Sequence, residues 1–151
     1  MTMLYPEIEP FDRGMLDVGD AHCIYWMQSG NPQGVPVVIL HGGPGSGSSA
    51  TVRRFFDPEH YRVIQFDQRN CGKSLPHASE PEIDLSCNTT WHLLADIERL
   101  RLFFGIERWF VYGNSWGCTL ALVYAEQHPE RVAGLVAVGV TMTRPAEIDW
   151  L

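Results

Sequence analysis

Basic side chains are scarce in this chain and never cluster: eleven Lys and Arg stand against eighteen Asp and Glu, for a formal charge of −7. Without a basic stripe nothing can neutralise a phosphate backbone or an anionic bilayer surface, which argues against nucleic acid and membrane partners. Long apolar runs are missing as well. The longest lies within Val132 to Val140, far short of the roughly 20 residues a helix needs to cross a bilayer. The opening stretch MTMLYPEIEPFD has neither the basic nor the apolar segment of a secretion signal, so a cytoplasmic location is expected. Cys23, Cys71, Cys87 and Cys118 are widely spaced and form no C-x-x-C pair, which excludes a zinc knuckle or dithiol redox motif and predicts reduced thiols. Repeats and low-complexity tracts are also absent. What remains is a composition of 45% hydrophobic and 19% charged residues, that of one globular unit able to bury a core.

Short apolar runs alternate with helical patterns. His22 to Gln28 mixes β-branched, aromatic and polar residues and predicts an antiparallel strand near an edge. Val35 to Leu40, Tyr61 to Phe66, Trp109 to Tyr112 and Val132 to Val140 predict strands covered on both faces, the interior of a sheet. Thr90 to Phe104 places Leu93, Ile97, Leu100 and Phe104 on one helical face, with Thr89 or Thr90 to cap its start and Gly105 to end it. Trp116 to Gln127 carries Leu120, Val123, Tyr124 and Gln127 on a similar stripe, and Pro129 closes it by disfavouring helix at His128. Strand, helix, strand, helix, strand in this order implies right-handed parallel crossovers, hence an α/β fold.

Gly113-Asn114-Ser115-Trp116-Gly117 fits G-x-S-x-G where the pattern has mechanical meaning, between an apolar strand and a helix. A serine on so sharp a turn needs glycines wherever a Cβ would strike the adjoining strand or helix. Its hydroxyl is pushed clear of the sheet, and the first amides of the helix face the oxyanion formed when Ser115 attacks a carbonyl. The backbone amide of Trp116 is the first expected donor. The bland alternative is a glycine-flanked serine at an ordinary strand-to-helix turn. His41-Gly42-Gly43-Pro44-Gly45 follows the Val35 to Leu40 strand directly, the position from which such sites take a second oxyanion amide, here that of Gly43. A phosphate loop is the rival for these glycines. It fails, because Ser48 breaks G-x-G-x-x-G and Asp67 stands where a Walker loop ending at Gly72-Lys73-Ser74 needs its first glycine.

With HGGPGSG at 41 to 47, FDQRNCGKS at 66 to 74 and GNSWGCTLALVYAEQHPERV at 113 to 132, the chain resembles the prolyl iminopeptidases. The resemblance runs over nearly the whole sequence and implies the α/β-hydrolase fold, a mostly parallel sheet with helices on both faces. It further implies that residues 1–151 are the amino-terminal part of one such domain, about half of the family's usual length. The fold is then incomplete here, because the triad's Asp and His and the cap that reads the substrate's free amine would follow Leu151. By the same resemblance the activity is that of a serine peptidase releasing amino-terminal proline from short peptides. Ser115 would be the nucleophile, Gly43 and Trp116 the amide donors, and neither cofactor nor metal would be required. An esterase or amidase on the same scaffold remains open, as does a silent fragment that binds a partner chain.

Asn70 and Asn114 stand where the family commonly has glycine, and Cys118 replaces a serine; Asn tolerates left-handed backbone better than most residues. His41 is expected to shape the glycine loop through hydrogen bonds, and His22, His60, His77, His92 and His128 to be surface or turn residues. Asp67 and Arg69 are expected to form a structural ion pair. Left last in the sheet, the Val132 to Val140 strand would expose an unpaired edge, so 151 residues alone are expected to self-associate and to be nearly inert.

Overall fold

The computed structural model describes residues 4–141 and 144–149. Six strands, β1 (Asp12–Gly19), β2 (His22–Gly30), β3 (Val35–Leu40), β4 (Tyr61–Phe66), β5 (Trp109–Asn114) and β6 (Val132–Val138), form one sheet in the order β1-β2-β4-β3-β5-β6. β2 runs antiparallel to both β1 and β4, whereas β4-β3, β3-β5 and β5-β6 are parallel. The mostly parallel α/β architecture read from the sequence is thus present.

Two helices, α2 (Thr90–Phe103) and α3 (Trp116–Gln127), cover one face. Leu93, Ile97 and Leu100 of α2 and Leu120, Ala121 and Tyr124 of α3 close over Val38, Leu40, Ile64, Phe66 and Val111 in the main core. The other face carries the one-turn helix α1 (Ala50–Arg53), where Val52 and Phe56 pack on Val37, Ile39, Val63 and Tyr112. A 3-10 turn at Pro129–Arg131 and the short helix α4 (Pro145–Ile148) complete the elements.

Several local readings need correction. β1 was not foreseen, because its segment DRGMLDVG is charged, glycine-containing and mostly exposed. Its pairing with β2 holds it, and the ring of Trp26 lies where Gly14 has no Cβ. Gln127 is exposed rather than part of the α3 stripe. Thr89 occupies the N-cap of α2, yet its hydroxyl lies 2.8 Å from Nδ1 of His92 and caps no amide. The last strand ends at Val138, where Gly139 turns to a φ of +63°, and is not covered on both faces. On the side away from α3, Phe110, Val136 and Val138 are exposed, as is Val140 beyond the strand's end.

Candidate active site

The parallel strands β3, β4 and β5 deliver three loops to one end of the sheet, and each loop reaches the next through a backbone contact or hydrogen bond. At the end of β5, Ser115 adopts φ 54° and ψ −120°, a conformation that costs an L-residue about 1–3 kcal/mol and persists only where the surroundings impose it. Here they do. The Ser115 N–H donates to the carbonyl of Val138 at 3.0 Å, and the Ser115 carbonyl accepts from Cys118 N at 2.8 Å. A Cβ on Gly113 would overlap the carbonyl of Gly117, and one on Gly117 would overlap that of Leu40, so both glycines are required by close backbone approach. The Cys118 thiol is fully buried and donates to the carbonyls of Gly113 and Val138, each at 3.1 Å, tying the end of β6 behind the turn.

The turn after β3 lies directly against this one. A Cβ on Gly42 would come within 3.2 Å of Ser115 Cβ and 3.0 Å of the Asn114 carbonyl, and Gly43 takes φ +120°, open to glycine alone. Gly42, Gly43, Ser115, Tyr112 and Val52 line one cavity of about 350 Å³. The structure therefore brings Gly43 and Ser115 together. Trp116 follows Ser115 as the first residue of α3, so its amide has no acceptor within the helix, while its ring turns to a neighbouring cavity of about 510 Å³ beside Pro44, Gly45 and Gln68. The Ser115 hydroxyl has no hydrogen-bond partner among the described residues.

His41 shapes the glycine loop as expected. Its Nε2 accepts from the Gln68 N–H at 3.0 Å, which leaves the proton on Nδ1, 2.8 Å from the Gly42 carbonyl that accepts it. Burial pushes its pKa below the usual 6.5, a shift only partly offset by the Gly42 carbonyl and the charge of Asp67. The folded chain thus binds this proton less readily than the unfolded chain, so the stability it confers is complete above pH 6.5 and declines as pH falls through the depressed value. Urea midpoints between pH 7.5 and 5 are expected to fall more steeply for the native protein than for a His41→Gln variant; parallel profiles would contradict this.

The loop after β4 departs from the sequence reading. Asp67 and Arg69 do not pair. Asp67 accepts the amides of Ser48 at 2.7 Å and Lys73 at 2.8 Å, stapling the glycine loop to its own. Arg69 turns the other way and engages Asp96 of α2, Asp20 of the β1-β2 turn and the carbonyls of Cys87 and Val18. Asn70 takes φ +63°, which its residue type tolerates, whereas Asn114 keeps negative φ. His22 is 4% exposed rather than on the surface, because Asp20 and Asn70 hold its ring nitrogens. Gln68, buried at the centre of the three loops, was missed by sequence reasoning; its signals were its place two residues after a buried strand and inside the FDQRNCGKS motif.

All four cysteines are free. Asp20, Cys87 and His92 bring ligand-type atoms within 4.8 Å of one another, but Asp20 is committed to Arg69 and His92 Nδ1 to Thr89. Among the described residues no helix is long and apolar enough to cross a membrane.

The model of the alpha/beta hydrolase fold family matches residues 35–151. The chain is 58% identical over 148 residues to a probable proline iminopeptidase of Streptomyces coelicolor, covering 98% of this chain and 46% of that protein. It is 56% identical over 150 residues to a proline iminopeptidase of Xylella fastidiosa, covering 99% and 46%. A solved structure, the proline iminopeptidase-related protein of Thermus thermophilus, superposes with a TM-score of 0.71 at 30% identity over 83% of this chain and 43% of that one. The chain spans about 46% of the length of the two curated relatives. The chain therefore belongs to the alpha/beta hydrolase fold family and is similar over nearly all its length to the proline iminopeptidases.

Proposed function

We propose that this chain is the nucleophile-bearing portion of a cytoplasmic serine peptidase that releases amino-terminal proline from short peptides. The observation that carries this reading is the strained Ser115 turn with the Gly42-Gly43 backbone packed against it, in a chain 58% identical to a probable proline iminopeptidase. The Ser115 oxygen attacks the carbonyl carbon of the amino-terminal prolyl residue, and its proton passes to a general base. Charge collects on the carbonyl oxygen, where the amides of Gly43 and Trp116 receive it. The C–N bond then breaks, the shortened peptide leaves as an amine carrying that proton, and water hydrolyses the prolyl ester on Ser115. Every step is acyl and proton transfer, so the scheme calls on no metal or cofactor. In this fold the base and its carboxylate follow the serine in chain order, and we assign them to the part of the native protein that corresponds to the remaining half of its relatives.

The test is intact mass of the native protein before and after a fluorophosphonate, followed by assay of proline amides against alanine amides and simple esters. One adduct with a strong preference for proline amides is the expected result. An adduct with preference for esters would assign an esterase or amidase on the same scaffold. No adduct would favour a second reading, a silent chain that binds a partner or a second copy through β6. The exposed Val136 and Val138 on that strand, with Phe110 beside them on β5, support this alternative.

A further inference from the structure

Gln68 is 3% exposed and hydrogen-bonded on every side. Its backbone N–H donates to His41 Nε2 at 3.0 Å, its side-chain NH2 donates to the His41 carbonyl at 3.0 Å, and its Oε1 accepts from the indole Nε1 of Trp116 at 3.1 Å. The amide can be oriented in only one way. The indole nitrogen is purely a donor and the carbonyl purely an acceptor, so a flipped amide would set donor against donor and acceptor against acceptor. The residue is itself anchored from behind, because neighbouring Arg69 is locked to Asp96 at 2.7 Å.

We infer that Gln68 is a positioning residue that sets the distance between the two amide donors at the site. His41 leads into Gly42 and Gly43, and Trp116 carries the other donor on its own backbone. One buried side chain therefore joins the two segments whose N–H groups must converge on one oxygen. Donors of this kind act by being in place before charge develops, so a shift well under 1 Å in either weakens them without altering how ground-state substrate is held. The inference rests on the assignment of Ser115, Gly43 and Trp116 made above. It adds a residue whose hydrogen bonds go to His41 and Trp116, not to Ser115, and which acts through those neighbours.

Gln68→Met keeps length and volume while removing all side-chain hydrogen bonds; Trp116→Phe removes the same indole bond from the other end and leaves the backbone amide and an aromatic ring in place. In the native protein both variants are expected to lower kcat on a proline amide by about 10- to 100-fold, the scale of partial loss of an oxyanion donor, with KM changed less than about threefold. A boronic acid analogue of proline, which forms a tetrahedral adduct on the serine, is expected to lose affinity by the same factor as kcat/KM, while inhibition by free proline stays unchanged. The double variant is expected to be no worse than the poorer single one, because both changes sever one link. Wild-type kcat in either variant, or equal losses for boronate and free proline, would overturn the inference. If Gln68→Met does not fold, Trp116→Phe alone decides by the same readouts. Failure of the underlying reading looks different: the unmodified protein would then neither take up a fluorophosphonate at Ser115 nor hydrolyse proline amides.

Discussion

Ser115→Ala in the native protein is expected to abolish the fluorophosphonate adduct and to lower proline-amide turnover by about three orders of magnitude or more, since a triad enzyme without its nucleophile keeps only binding and oxyanion stabilisation. Nothing nearby can substitute. The Cys118 thiol, the closest alternative in sequence, is fully buried and donates to two carbonyls behind the turn. Ser115→Gly sharpens the test, because it separates the chemistry of the hydroxyl from the strain of its backbone. Glycine adopts φ 54° and ψ −120° without meeting a Cβ, so this variant is expected to gain about 1 kcal/mol of unfolding free energy while losing all labelling. Chemical denaturation and intact mass on the same preparations provide the check. A labelled alanine variant would move the nucleophile elsewhere, and a destabilised glycine variant would mean that the turn is not strained.

Asp96→Ala is expected to cost about 3–5 kcal/mol, because it strands a guanidinium where water cannot replace the lost partner. Both side chains of the Arg69–Asp96 pair are wholly inaccessible, joined by two hydrogen bonds of 2.7 and 2.9 Å. Three more acceptors, Asp20, Cys87 O and Val18 O, complete the five N–H donors of the arginine. The contrast lies on the same cation: the Asp20 carboxylate is 44% exposed, and Asp20→Ala is expected to cost no more than about 1 kcal/mol. Urea titration of the two variants side by side measures the difference. Equal effects would mean that water reaches Arg69 once Asp96 is gone. Because Arg69 adjoins Gln68, loss of Asp96 is also expected to reach the site, lowering turnover more than loss of Asp20 does.

Much of this architecture is local in origin and was legible for that reason. The runs at 35–40, 61–66 and 109–112 are β-branched and continuous because strands covered on both faces need no polar alternation, and they became β3, β4 and β5 within two residues. The glycines at 113 and 117 announce a backbone crowded against neighbours, and the structure names those neighbours as Gly117 and Leu40 carbonyls. β1 escaped notice because its pairing partner, not its composition, makes it a strand.

Ion pairs and buried networks are another matter, since they depend on which loops meet. Asp67 and Arg69 are two residues apart and invited pairing. The chain instead sends Asp67 to the amides of Ser48 and Lys73, and Arg69 to Asp96, 27 positions away. Gln68 between them gave no sign of joining His41 to Trp116, a link spanning 27 residues on one side and 48 on the other. By itself, then, the sequence determined the order of strands β2 to β6 and of the two long helices, and the serine turn, because periodicity, glycine placement and strand composition act within a few residues. Only the tertiary structure decided the partners of the buried charges, the uncovered face of β6 and the link between the two amide-bearing loops, because hydrogen-bond partners far apart in the chain are chosen by packing.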